Sequence, residues 1–247
     1  MNLFDSVYLV FNQFSLLDDE SVGYIEDKFK GRFPKGYKEY IRRFGEGELC
    51  DSIRIHSPNY ILNKHEVGNC RFYDGALPEG NGGRELIEGM VEIGRTWLGD
   101  VIAFNPAFKN GVYLFYRQMN KVELIGRDLY ESVEHLCNEE PDDRCPGFKY
   151  FKSHGVYSIC QFVQKEECAE TGRMLYDTAS SFFYPDHLFL RENGFDLFNK
   201  RYGFHMSFET LWDGPPLLTV WVERDSEKYV TNFVNESMVP LGLERYE

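Results

Sequence analysis

The chain has 247 residues, a formal charge of −13 at neutral pH, 43% hydrophobic and 16% aromatic residues. That much apolar material excludes a disordered chain and suffices for one large core or two small ones, and the default place for the rings is that core. The acidity is spread over both halves, and such a field repels phosphate backbones, which argues against direct nucleic-acid binding.

In chain order, Asp18-Asp19-Glu20 opens a helix, since acidic residues suit its positive end, and Val22, Ile25 and Phe29 continue one face toward Gly31. A second helix follows Pro34. Tyr37, Tyr40, Ile41 and Phe44 fall at i, i+3, i+4 and i+7, a single apolar stripe, and Gly45 and Gly47 stop it. A strand over 52–56 and a short helix over 57–62 come next, then a glycine-rich stretch over 68–84 that reads as loop. Strands are predicted near 91–94, over 100–105, 112–117 and 121–126, with a hairpin loop from Asn105-Pro106 to Asn110-Gly111. Their short spacings favour antiparallel pairing. Asp128 caps a closing helix carrying Leu129, Val133 and Leu136.

The polar, breaker-rich run Asn138–Gly147 is the best domain boundary, which divides the chain into 1–140 and 147–247. Beyond it, 155–163 is strand-like, 166–177 helix-like, and Pro216–Val222 the strongest strand. The segment 226–239 fits helix or strand. The overall reading is α+β.

Catalytic signatures are scarce. The histidines form no His-Glu-x-x-His, and no phosphate-binding Gly-Lys-Ser/Thr loop or Gly-x-Ser-x-Gly elbow occurs. Gly45-x-Gly47 and Gly80-x-Gly82-Gly83 are incomplete dinucleotide fingerprints. Cys137/Cys145 and Cys160/Cys168 are spaced too widely for the paired ligands of a zinc site. No metal or cofactor is expected. The first residues lack a basic signal-peptide region, and no apolar run reaches the roughly 18 residues of a membrane span. The expected location is therefore the cytoplasm, with the cysteines as thiols.

Four carboxylates stand out. Glu46, Glu48 and Asp51 cluster past the second helix, where they would anchor a basic partner or simply face solvent. Asp100 either bonds local backbone at a strand entry, as in an Asx turn, or touches a partner. An acidic surface attracts a basic protein and speeds its association, though it equally serves solubility.

Three segments resemble the SUKH superfamily, the family of the yeast cell-wall-assembly regulator and of many bacterial toxin-immunity proteins. They are Phe33-Pro34-x-x-Tyr37-Lys38-Glu39-Tyr40-Ile41 with Phe44-Gly45-Glu46-Gly47-Glu48-Leu49; Ile53-Arg54-Ile55-His56-Ser57-Pro58; and Ile93-Gly94 with Gly99-Asp100-Val101-Ile102-Ala103-Phe104, Val112-Tyr113 and the closing helix. The ordered set spans about residues 18–140. The resemblance implies an antiparallel-type sheet with flanking helices and a non-catalytic immunity protein that occludes a cognate toxin, often a nuclease. It carries no catalytic residues and is silent on 147–247. Two other expectations stand beside it: a regulatory adaptor of the cell-wall-regulator type, and an enzyme whose site would join His187 or His205 to Cys160 or Asp213.

Overall fold

The computed structural model describes residues 3–14, 19–29, 31–66, 89–107, 111–119, 121–139, 145, 147–164, 170–192, 194–210 and 215–246. The architecture is α+β. Two compact units divide the chain: Met1–Val7 with Phe14–Pro141, and Tyr8–Gln13 with Asp142–Glu247. The glycine-rich stretch 68–84 and most of the 138–147 run lie outside the described residues.

The chain enters through a 3-10 turn, Leu3–Ser6, and a two-residue strand β1, Tyr8–Leu9, which belongs to the second unit. The first unit continues with helices α1 (Asp19–Lys28) and α2 (Tyr37–Phe44), strands β2 (Gly47–Leu49) and β3 (Ile53–Ile55), and helix α3 (Pro58–Glu66). A four-strand meander follows, β4 (Val91–Thr96), β5 (Val101–Phe104), β6 (Val112–Tyr116) and β7 (Lys121–Gly126), closed by helix α4 (Leu129–Glu139). Strands β2 to β7 lie in sequence order and pair antiparallel throughout.

Helix α2 forms because its stripe has somewhere to go. Tyr37, Tyr40, Ile41 and Phe44 are all fully buried, and each such side chain contributes about 1.5–3 kcal/mol over its exposed state. Phe4 from the entry turn packs edge-on against Tyr40 and Phe44. The helix starts later than its proline suggests. Pro34 lies outside it and accepts the Tyr37 N–H, while Gly36 holds the N-cap position. Gly45 ends it at φ 68°, and its N–H donates to the Ile41 carbonyl. Asp128 caps α4 as expected, accepting the Glu131 N–H at 3.0 Å. Strand β5 is buried on both faces. Its Val101 and Ala103 join Met90 and Phe115 in one cluster, so alternation turns Ile102 and Phe104 to the other face.

The second unit holds β8 (Tyr150–Ser153), β9 (Tyr157–Gln164), helix α5 (Thr171–Phe183), and strands β10 (His187–Arg191), β11 (Gly194–Asn199), β12 (Phe204–Thr210) and β13 (Pro216–Glu223). Helix α6 (Arg224–Phe233), which resolves the ambiguous 226–239 segment, runs into a π turn and a 3-10 turn before β14 (Leu243–Arg245). The sheet order is β10-β11-β12-β13-β9-β14, antiparallel at every pairing. One face carries Phe162, Phe195, Leu197, Phe204, Met206 and Val220 against Leu175 and Phe183 of α5 and Val230 and Phe233 of α6. The other presents Phe198 to Val10, Phe11 and Tyr150, and β1 pairs with β8 in parallel. Glu223 clamps the entering segment by accepting the Asn12 and Gln13 N–H groups.

Tyr184 closes α5 in the left-handed region at φ 49°, with 83% of its surface exposed. A side chain there costs on the order of 1 kcal/mol relative to glycine. Tyr184→Gly is expected to raise Tm, and a lowered Tm in calorimetry would overturn the strain account.

Candidate functional site: the turn end of the first sheet

Antiparallel order brings three turns to one end of the first sheet. They join β2 to β3, β4 to β5, and β6 to β7. The first is a tight turn whose central residues, Cys50 and Asp51, have φ 52° and 53°, closed by Ser52 N–H to Leu49 carbonyl at 3.1 Å. Hairpin turns of this hand favour Asn-Gly or Asp-Gly, so Cys-Asp is a strained choice. Strain of this kind gathers at functional sites.

The second turn is locked to the first: the Trp97 N–H donates to the Ser52 carbonyl at 2.8 Å. It is also braced within itself, through Thr96 N–H to Asp100 carbonyl, Gly99 N–H to Thr96 carbonyl, and Asp100 N–H to Thr96 Oγ1. On this fixed backbone Trp97 is 68% exposed and Leu98 44%. Met119, in the third turn, is 69% exposed. Large apolar side chains carried outward on a fixed backbone leave less of the chain to order on binding, which favours contact hot spots.

The four carboxylates selected from sequence divide. Asp51 lies in the strained turn and is part-exposed. Glu48, also part-exposed, sits on β2 opposite Arg54, which is itself opposite Arg95 on β4. Its charge therefore also serves the sheet. Glu46 lies beyond the far end of β2, away from the turn, where its charge adds to burial in pushing the Tyr37 hydroxyl above its usual range. Asp100 is buried, and its Oδ1 accepts the Arg117 N–H at 2.7 Å. It thus ties the second turn to the third across the hairpins; the local Asx turn expected of it is not its bond.

Sequence reading missed the apolar members of this surface, Trp97, Leu98 and Met119. It also missed a buried charge cluster nearby in sequence. Glu92 on β4 receives His56 Nε2 at 3.0 Å, Arg95 Nε at 2.7 Å and the Lys64 ammonium of α3. Burial pushes the Glu92 carboxyl up, but hydrogen bonds from His56, Arg95 and Lys64 outweigh it and hold it at about 2. Burial is the main cause lowering His56, against the pull of Glu92. Tyr60 stacks on the His56 ring at 4.0 Å. A carboxylate inside the apolar run Val91-Glu92-Ile93 was the available signal.

In the second unit Asp196 accepts from His205 Nε2 at 2.8 Å and from Arg191 at 2.6 Å. His205 lies between Phe198 and Trp221, stacked on both. The register puts Ile159 opposite Trp221, so Cys160 faces the other side of the sheet from His205. The His205–Cys160 pairing that the enzyme alternative would need is not formed. Asp213 lies outside the described residues, and His187 packs against Tyr8 and Phe148. Among the described residues no three His, Cys, Asp or Glu side chains gather as a metal site, and no disulfide joins Cys50, Cys137, Cys145 and Cys160. No described helix is long and apolar enough to cross a membrane.

No family model matches the chain, no curated protein matches it, and no solved structure matches its fold.

Proposed function

We propose that the chain is a stoichiometric binding protein of the SUKH immunity type, acting in the cytoplasm, where it occludes a cognate basic toxin, and that the turn end of the first sheet is its contact surface. The observation that carries this reading is Trp97, largely exposed yet hydrogen-bonded through its backbone to the strained Asp51 turn. Leu98 and Met119 extend the apolar centre, and Asp51 and Glu48 supply acid at its margin. The antiparallel sheet with flanking helices over the first unit agrees with what the resemblance implies. The net charge of −13 favours a basic partner and its fast encounter.

The test is co-expression with the toxin encoded beside the gene, followed by titration of the purified pair. Trp97→Ala is expected to weaken binding about 30-fold or more, the loss of about 2 kcal/mol typical of an aromatic hot spot. Asp51→Lys is expected to slow association and flatten its salt dependence. Wild-type affinity for both variants would sink the assignment of this surface.

A further inference from the structure

The opposite end of the same sheet has a different chemistry. A groove of about 710 Å³ opens there between the segment 31–35, the start of the β5–β6 loop, and Arg127. That volume falls within the range of small-molecule sites. Its floor is apolar: the Phe33 and Phe104 rings lie 4.8 Å apart and both are buried. Its walls depend on close backbone approach. A Cβ on Gly31 would meet Pro106 at 2.5 Å, and one on Gly111, which sits at φ 104°, would meet the Gly126 carbonyl at 2.3 Å.

The lining includes Arg32, Lys35 and Arg127. Three cations around one groove are notable in a chain of charge −13. Arg127 is bound to Glu131, whose charge Lys35 also feels, and the Lys35 ammonium lies 5.9 Å over the Tyr130 ring; among the described residues no carboxylate forms an ion pair with Arg32. The Lys35 carbonyl accepts the Leu129 N–H at 2.9 Å, so the two sides of the rim are fixed to each other. Helix α2 begins just after Gly36 and adds the positive end of its dipole beside Lys35.

We propose that this groove binds a phosphomonoester of mononucleotide size. The phosphate sits on the rim, where Arg32 offers a planar fork and Lys35 a point charge. The flat apolar body lies over Pro34, Pro106 and the Phe33–Phe104 floor. The phosphate chemistry is shared by a free mononucleotide and by the 5′ end of an oligonucleotide. The protein's overall negative field penalises each further phosphate of a polymer, which favours the free nucleotide.

Calorimetric titration of the full chain at low ionic strength distinguishes these sources, with adenosine monophosphate, adenosine, inorganic phosphate and a short 5′-phosphorylated single strand as probes. Adenosine monophosphate is expected to bind saturably, about tenfold or more tighter than adenosine or phosphate alone. Arg32→Ala/Lys35→Ala is expected to weaken it about tenfold or more with an unchanged Tm, while Trp97→Ala leaves it untouched. Three results would each overturn the proposal: no saturable binding, equal binding by the double variant, or an oligonucleotide that matches the mononucleotide.

Discussion

Asp196→Leu is expected to destabilise the second unit by about 3–5 kcal/mol, the usual loss when one partner of a buried charged pair is removed. Asp196 and His205 have no exposed surface at all, and Asp196 holds both His205 and Arg191. Leucine would leave the Arg191 guanidinium and a ring nitrogen of His205 without the oxygens that now receive them. His205→Phe in the same background restores stacking between Phe198 and Trp221 and removes the stranded nitrogen. The double variant should therefore recover part of the loss, with a coupling of about 1 kcal/mol or more in denaturant titrations. Additive losses would show that Asp196 and His205 do not act as a pair.

Glu92→Gln should have the next largest effect, about 2–4 kcal/mol, because it removes the anion that His56, Lys64 and Arg95 share. The pH dependence checks the same cluster. Glu92 has a folded pKa of about 2 against an ordinary value of 4.5. Its stabilisation is therefore present above 4.5 and lost as pH falls toward 2. His56 is lowered below 6.5, so the unfolded chain binds its proton first and stability also declines as pH drops below 6.5. Both groups tilt the profile the same way. In Glu92→Gln the acid-side slope between 4.5 and 2 should shrink, and an unchanged slope would remove Glu92 as its source.

The α2 stripe and the β5–β7 meander were legible because a single period dominated each: 3.6 for Tyr37, Tyr40, Ile41 and Phe44, and short apolar runs between turn residues for the strands. Strand β2 escaped notice because Gly47-Glu48-Leu49 is too brief to show a period. Strand β11 escaped for another reason. Asp196, between Phe195 and Leu197, has the look of an outward polar position, yet the strand is buried on both faces. Pairing with His205 makes that burial tolerable, and the partner comes from β12 across the hairpin. The site was half visible for a similar reason. Charge drew attention to Glu46, Glu48, Asp51 and Asp100, but only the register shows that Asp51 and Asp100 share an end of the sheet, that Glu46 does not, and that Asp100 points inward to Arg117. Nothing in local composition separates Trp97 and Met119 from the many aromatic and apolar residues that are buried.

The clamp on Asn12 and Gln13 has a consequence for biosynthesis. Their partner Glu223 lies 211 and 210 residues further on. As the chain leaves the ribosome, the first unit can close around its own helices while this segment waits for a strand that emerges 210 residues later. Completion of the second unit is therefore a late event with a large loop to close. A fragment cut at the 141/142 boundary would lack the piece that Glu223 holds, and supplying residues 8–13 as a separate peptide is the natural way to restore it.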